Sequence, residues 1–208
     1  MPRPRGDVRE RLLTAARERF LSDGVDGASL RKIAADAGSN VGMIHYYFGS
    51  KEALFFEVVD DRYGALLGDF EAILSADEPV LARFERLSVR VGTMDPEETE
   101  VLRIVMRELL ASSERRRALL RRFERGHVAV ATRALSAAQG AGQLRGDLPL
   151  SVTLIAALAT MLFPQAIARV VAADERPGPL RDLPAPEALA AALRAVLEGG
   201  LRGAHIAS

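Results

Sequence analysis

Apolar side chains recur every three or four positions through most of this 208-residue chain, and no long run alternates apolar with polar residues. Leu12, Leu13, Ala16 and Phe20 show the pattern near the start, where they share one face of a helix. This spacing is typical of amphipathic α-helices, whereas half-buried strands repeat every second residue. The sequence therefore predicts an all-α fold.

Glycine, proline and helix-capping residues divide this pattern into nine predicted helices. Ser29, Asn40 and Ser50 stand where a side-chain oxygen can cap the helix that follows. The predicted helices cover about residues 7–23, 29–37, 40–48, 51–74, 78–91, 96–112, 114–139, 149–173 and 186–201. At this length the chain forms one large domain or two small ones.

The composition excludes several kinds of chemistry. The chain has no cysteine, which excludes disulfides, thiol nucleophiles and cysteine-bound zinc. His45, His127 and His205 are far apart in the sequence and have no carboxylate at ligand spacing, so we expect no metal, no cofactor and no enzymatic activity. The first residues lack the apolar run of a secretory signal, which predicts a cytoplasmic protein.

Positive charge is concentrated at one end of the chain. The whole chain carries 28 basic and 28 acidic side chains, yet residues 1–51 carry nine basic against six acidic ones. Such an excess is where an attraction for nucleic-acid phosphates is expected. Chance scatter of surface charge is the alternative reading of so small a difference.

One uncharged stretch, residues 148–168, is long enough to cross a bilayer. It contains Pro149, Pro164 and Gln165, relies on alanine rather than leucine, and lacks flanking aromatic residues. A helix that is apolar nearly all round is otherwise one buried in a core or a subunit contact. We therefore expect no membrane partner.

Residues 29–51 predict a helix-turn-helix. Two short helices are joined by Gly38 and Ser39, which is the arrangement of this motif. The helical spacing turns one set of side chains inward, onto the first helix: Leu30, Ile33, Ala37, Ile44 and Phe48.

The outward side chains of the second short helix are suited to duplex DNA. They are Asn40, Val41, Gly42, Met43, His45, Tyr46 and Tyr47. A recognition helix enters the major groove and contacts base edges there. Val41 and Met43 can contact thymine methyls, and His45 and the two tyrosines can bond phosphates. Lys51, beside the free N–H groups that open the next helix, predicts a phosphate contact.

Residues 8–54 resemble the N-terminal domain of the TetR/AcrR family of bacterial transcriptional repressors. The matching stretches are 12–16 with Phe20 and Gly24, 29–34 with Ala37 and Gly38, 44–48, and 50–54. The chain departs from the family pattern at two positions, since many members have tyrosine where His45 stands and serine where Asn40 stands. These departures bear on sequence preference rather than on DNA binding itself.

The resemblance implies a DNA-binding domain at residues 1–51 and a helical ligand-binding and dimerisation domain at 52–208. It implies a homodimer on double-stranded DNA, responsive to a small-molecule effector and without enzymatic activity. It also adds Ser29 and Arg31 to the expected DNA contacts. A ligand that tilts the fourth helix would change the distance between the recognition helices.

An apolar cavity between helices is the default ligand site in the second domain. Candidate contacts are Met106, Phe123, His127, Met161 and Phe163, with Arg103 or Arg107 for a polar group. Ordinary core packing is the alternative for each of them. The last two predicted long helices are rich in alanine, which suits a contact between two subunits.

Residues 114–125 contain six arginines whose role the sequence leaves open: Arg115, Arg116, Arg117, Arg121, Arg122 and Arg125. They form a solvated helix face, a second nucleic-acid patch or a site for an anionic effector. Two other classes of protein also stay open. One is an all-α interaction subunit whose helix-turn-helix recognises no operator, and the other is a small-molecule enzyme.

Overall fold

A computed structural model describes residues 5–111, 114–171, 175–176 and 178–201. Within these residues the chain is all-α, as predicted, and forms no β-strand. The helices are α1 (Arg5–Gly27), α2 (Leu30–Asp36), α3 (Val41–Phe48), α4 (Lys51–Leu74), α5 (Val80–Gly92), α6 (Pro96–Leu110), α7 (Glu114–Arg125), α8 (His127–Gly140), α9 (Leu150–Met161), α10 (Phe163–Val170) and α11 (Pro186–Leu201), with a 3-10 turn at Gly178–Leu180.

Two of the predicted helices are each broken into two, so the expected bounds 114–139 and 149–173 are wrong. The first breaks at Gly126, whose backbone is non-helical (φ −96°, ψ −121°). The second breaks at Leu162, two residues before Pro164. Proline has no N–H to donate and its ring crowds the carbonyl four residues earlier, so it sits in the first turn of a new helix rather than inside a long one.

The chain divides into two compact units. Unit 1 comprises Met1–Leu66 and Pro96–Leu120, and unit 2 comprises Leu67–Asp95 and Arg121–Ser208. The boundary predicted between residues 51 and 52 falls at the start of α4, whereas unit 1 also includes α6, because α6 packs against α1. The assignment of DNA binding to 1–51 and ligand binding to 52–208 stays a prediction.

Unit 1 is built around α1. Phe20 of α1 meets Phe55 of α4 edge to face, with ring centroids 6.1 Å apart, and Ile33 and Ile44 bring α2 and α3 into the same fully buried core. Gly24, the predicted end of the first helix, has a left-handed φ of 72° and kinks the chain before one last turn to Gly27. The helix-turn-helix is therefore part of a larger apolar core.

Unit 2 is built around α5, which packs against α8, α9, α10 and α11. At Gly92 the helices approach so closely that an added Cβ would lie 2.4 Å from Gln165 Oε1 and 2.7 Å from Pro186 Cβ. The buried Ser88 hydroxyl donates to the Met161 carbonyl at 2.6 Å, at the break between α9 and α10. A buried carbonyl released by the helix break thus has a partner.

Candidate nucleic-acid interface

Helix α3 is anchored by its two buried side chains, Ile44 and Phe48, and capped at its start by Asn40. The Asn40 side-chain oxygen accepts a hydrogen bond from the Met43 N–H at 3.2 Å, as the sequence predicts. On the core side, the Arg9 guanidinium lies over the Phe48 ring, 5.6 Å from its centroid. With its inner face held in this way, α3 presents the remaining side chains outward.

Each residue of the predicted DNA-contacting set on α3 is at least partly exposed. Asn40, Gly42 and His45 are exposed, Val41, Met43 and Tyr47 are partly exposed, and Tyr46 is 72% exposed. The Tyr46 and Tyr47 rings meet edge to face with centroids 5.1 Å apart. A large aromatic side chain so open to solvent is uncommon unless it contacts something else. That these residues contact DNA stays a prediction.

The imidazole of His45 is oriented by the end of α3. Its Nδ1 lies 3.0 Å from the carbonyl oxygen of Gly49, the residue that terminates the helix with a left-handed φ of 79°. Because a carbonyl only accepts hydrogen bonds, Nδ1 is the protonated nitrogen of this pair. The Nε2 atom is therefore the one left for another partner.

Two salt-bridged side chains join α2 to α1. The Arg19 Nε donates to Asp36 Oδ2 at 2.6 Å, and this hydrogen bond holds the pKa of Asp36 below its ordinary value. Arg31, an expected DNA contact on α2, is exposed. Ser29 precedes α2, but its side chain makes no hydrogen bond to the first turn, so the predicted Ser29 cap is wrong.

Lys51 has partners that the sequence did not suggest. Its Nζ donates to the Asp26 carbonyl at 2.9 Å and to the Ala28 carbonyl at 3.0 Å. These bonds tie the start of α4 to the segment between α1 and α2. A lysine ammonium has three hydrogens, so one remains for a phosphate. Ser50 caps α4 as predicted, since its Oγ accepts from the Ala53 N–H at 3.0 Å.

Arg115 supports the same segment and was missed by the sequence analysis as an individual residue. Its Nη2 lies 2.6 Å from Asp26 Oδ1, and its Nε lies 2.7 Å from Oε2 of the buried Glu108. Arg115 is itself buried, so it does not belong to a solvated arginine face. A further cation, Arg107, donates to the Leu21 carbonyl at 3.3 Å. Cations from α4, α6 and α7 thus hold the end of α1.

The predicted ligand contacts are divided between the two units. Arg103, Met106 and Arg107 lie on α6 in unit 1, and Arg107 has the protein partner just described. In unit 2, Met161 is fully buried and Phe163 is 57% exposed, so Phe163 does not line an enclosed cavity. Their role in ligand binding stays a prediction.

Phe123 and His127 are the two predicted ligand contacts that meet within unit 2. Their ring centroids are 5.0 Å apart, and the Phe70 ring packs edge to face on the same imidazole at 6.3 Å. Burial among these rings lowers the pKa of His127 from its ordinary value of 6.5 to about 4. The imidazole is therefore neutral near pH 7 and behaves as part of an aromatic cluster.

A polar cleft of about 380 Å³ lies between α1, α4 and α6 in unit 1. Its arginines are already paired with carboxylates: Arg17 contacts Glu97 at 3.0 Å and Glu100 at 2.9 Å, and Arg62 also contacts Glu97. None of the predicted ligand contacts lines this cleft. We assign it to the packing of α6 on α1 rather than to ligand binding.

The helices α9, α10 and α11 expose large apolar side chains on unit 2. Val152 and Ile155 of α9, Phe163 of α10 and Val196 of α11 are between 47% and 68% exposed. Val152, Ile155 and Ala159 follow the i, i+3, i+7 spacing of one helix face. Of the alanines expected at a subunit contact, Ala157 and Ala190 are instead buried in the core of unit 2.

The same stretch, Leu150–Val170, is long and apolar enough to cross a membrane when judged by length and composition. It is 22% buried within the chain. Core helices of soluble proteins meet the same criterion, so this stretch is weak support for a membrane span. Among the described residues, no group of three or more His, Asp or Glu side chains could hold a metal ion.

The chain is similar in sequence to known bacterial regulatory proteins. Residues 12–58 match the family of bacterial regulatory proteins, tetR family. The chain is 31% identical over 143 residues to the HTH-type transcriptional regulator BetI of Rhizobium meliloti, covering 66% of this chain and 70% of BetI. It is 41% identical over 70 residues to the HTH-type transcriptional repressor NicS of Pseudomonas putida, a match over 34% of this chain and only 32% of NicS.

Solved structures show the same fold across nearly the whole chain. The transcriptional regulator FadR of Bacillus subtilis, solved in complex with stearoyl-CoA, aligns with a TM-score of 0.74 at 16% identity. The alignment covers 92% of this chain and 98% of FadR.

Proposed function

Because the chain belongs to the tetR family of bacterial regulatory proteins, we propose that it is a cytoplasmic transcriptional repressor that binds operator DNA as a homodimer and is released by a small-molecule effector. The observation that carries the proposal is the outer face of α3. Asn40 caps it, Ile44 and Phe48 anchor it, and the side chains between them face solvent. A helix held in this way can enter a major groove without rearrangement.

The exposed residues then divide into two groups by the part of DNA they meet. Val41, Gly42 and Met43 lie in the first turn of α3, where recognition helices contact base edges. His45, Tyr46 and Tyr47 lie in the following turn and contact phosphates. Phosphate contacts also come from Ser29, Arg31, Asn40 and Lys51, which flank the turn and the start of α4.

The exposed apolar face of α9, α10 and α11 supports dimerisation. The partner that covers this face is a second copy of the chain. Two recognition helices about 34–36 Å apart are needed to read successive major grooves on one side of DNA, and a dimer supplies both. Its most exposed residues, Ile155 and Val196, lie on helices that pack against one another within unit 2. The operator is then a near-palindrome.

Release requires an effector that binds the arrangement with weak DNA affinity more tightly than the DNA-binding one. The FadR structure contains a bound ligand, which supports a ligand for this chain as well, and we carry over the presence of a ligand rather than its chemical class. Coupling free energies of about 1–3 kcal/mol are typical of allosteric proteins, and here they would change DNA affinity by about 5–150-fold. The aromatic cluster at Phe123 and His127 is the first place to test.

The proposal is tested by selecting bound duplexes from a random pool with the full chain. We expect a motif with twofold symmetry and half-sites about 10–10.5 base pairs apart. Met43→Ala should change the preference at particular bases, because the side chain faces base edges. If no sequence is enriched even at low salt, the chain is instead an interaction subunit whose helix-turn-helix does not recognise DNA.

A further inference from the structure

The position of His45 restricts what its imidazole can offer to DNA. Its Nδ1 lies 3.0 Å from the Gly49 carbonyl oxygen, which accepts and cannot donate. The hydrogen therefore stays on Nδ1 in the neutral imidazole as well as in the charged one. It follows that Nε2 of neutral His45 is a bare hydrogen-bond acceptor, and only a protonated ring offers an N–H there.

The place of His45 on α3 indicates which DNA group it meets. Recognition helices contact base edges with their N-terminal residues, and His45 is in the last turn of α3. At this end of the helix we therefore expect a backbone phosphate, which only accepts hydrogen bonds. Two acceptors cannot bond, so a neutral His45 gains nothing from the phosphate.

We propose that His45 binds a DNA phosphate through Nε2 only when its imidazole is protonated, so that each protomer takes up a proton on binding DNA. This inference rests on the proposed DNA-binding function and goes beyond it, because it makes operator affinity depend on pH. A tyrosine at this position would donate its hydroxyl hydrogen regardless of charge. The His45 of this chain thus adds a proton linkage that a tyrosine lacks.

Several charged groups on α1, α2 and α4 are bonded elsewhere or are cations. On α2, Asp36 binds Arg19, while Arg31 and Lys32 are exposed cations. On α1, Arg9 binds Glu57 and covers Phe48. At the start of α4, Lys51 binds two carbonyls, and Glu52 lies 3.6 Å from Arg115. Among the ion pairs of the described residues, none joins a carboxylate to His45.

The other two histidines of the sequence provide controls. His127 is partly buried beside aromatic rings, and its pKa is lowered to about 4, so it stays neutral across the range in which exposed imidazoles change charge. His205 lies outside the described residues. A His205→Asn variant therefore tests whether that residue contributes to any pH dependence.

The experiment measures the affinity of the full chain for a labelled duplex carrying the selected motif, at about pH 6 and about pH 8 and constant ionic strength. The wild type and the His205→Asn variant should bind about tenfold more tightly at the lower pH, as expected for the uptake of a proton. The His45→Tyr variant should bind with the same affinity at both pH values. The His45→Arg variant should do so as well, because the arginine side chain is always charged. Circular dichroism at both pH values checks that all variants are folded.

The inference is overturned if wild type and His45→Tyr show the same pH dependence, or if the wild type shows none. Loss of the pH dependence in His205→Asn would assign it to that residue and would also overturn the inference. If the wild type binds no duplex at either pH, the proposed DNA-binding function itself is contradicted. The two failures are thus distinguishable.

Discussion

The Nε atom of Arg115 lies 2.7 Å from Oε2 of Glu108, and both side chains are buried in unit 1. Burial disfavours the charged form of Arg115, but its hydrogen bonds to Glu108 and Asp26 outweigh that effect and raise its pKa above the ordinary value. Arg115 is therefore held in its charged form. Its second carboxylate, Asp26, has a side chain that is 82% exposed.

We expect an asymmetric response when this network is cut. Arg115→Met should lower the free energy of unfolding by about 3–5 kcal/mol, because it leaves Glu108 charged, buried and unpaired. Asp26→Asn should cost about 1 kcal/mol or less, because its partner keeps a buried carboxylate and Asp26 itself is solvated. Urea unfolding monitored by circular dichroism measures both. Equal losses in the two variants would contradict the role given to Glu108, and the double variant Arg115→Met, Glu108→Met should recover most of the stability.

Two of the proposed DNA contacts, Lys51 and Tyr46, should differ in their effects on DNA binding and on stability. Lys51→Ala removes hydrogen bonds to the Asp26 and Ala28 carbonyls, so it should cost about 1–2 kcal/mol of stability as well as DNA affinity. Tyr46→Phe removes an exposed hydroxyl, so it should leave stability within about 0.5 kcal/mol and weaken DNA binding by about threefold to tenfold. Thermal unfolding and fluorescence anisotropy on the selected duplex test both. A stable Lys51→Ala would show that the carbonyl contacts matter little.

Gly92 should not tolerate a methyl group. An alanine Cβ would clash with Gln165 and Pro186, so Gly92→Ala should destabilise unit 2 by about 1–3 kcal/mol despite the higher helix propensity of alanine. Gly68→Ala is the matched control, because Gly68 lies in α4 with no atom within 4 Å of the added Cβ. That variant should gain about 0.5–1 kcal/mol. Chemical denaturation should give opposite signs, and the same sign for both would refute the close approach at Gly92.

His127 should make the fold sensitive to acid. Burial lowers its pKa from 6.5 to about 4, so the unfolded chain binds the proton more readily than the folded one. Stability is therefore full above pH 6.5 and falls as the pH decreases towards 4, by about 2–3 kcal/mol in total from this residue. His127→Leu should remove that part of the pH dependence. Urea titrations near neutral pH and near pH 4.5 provide the comparison, and an unchanged difference in the variant would exclude His127 as the cause.

Ile155 should be required for self-association. Ile155→Glu places a carboxylate on the exposed apolar face of α9, which should weaken dimerisation by about a hundredfold, since like charges at an interface cost several kcal/mol. Leu110→Glu is the control, because Leu110 is equally apolar and 88% exposed but lies on α6 in unit 1. Light scattering coupled to size-exclusion chromatography should find the first variant monomeric and the second dimeric. The reverse pattern would move the interface to α6.

The outward face of α3 was predictable from the sequence because it depends on local information. Helical spacing separates Ile44 and Phe48 from the residues around them, and the cap at Asn40 is read from its own neighbourhood. The break at Leu162 was missed although Pro164 signals it, because the apolar pattern continues across it. A proline in an apolar stretch is thus better evidence for a helix boundary than the periodicity around it is for a continuous helix.

The role of Arg115 could not be predicted from the sequence around it. Six arginines stand within twelve residues, and nothing in their spacing marks the one that is buried. Its partners Glu108 and Asp26 are 7 and 89 residues away along the chain, and only the packing of α7 in unit 1 brings Asp26 to it. Long-range ion pairs of this kind depend on tertiary structure. For the same reason the carbonyl partners of Lys51 were not foreseen.

The hydrogen bond from Ser88 to the Met161 carbonyl carries a consequence for sequence divergence among relatives. Ser88 lies in the middle of α5 and in an apolar core, where a hydroxyl needs a hydrogen-bond partner. Its partner is the Met161 carbonyl, which lies at the break between α9 and α10. In relatives in which Pro164 is replaced and the helix is continuous, the Met161 carbonyl would be bonded within that helix. Alanine or valine could then replace Ser88. Paired substitutions at these two sites, rather than independent drift at either, are the pattern to look for.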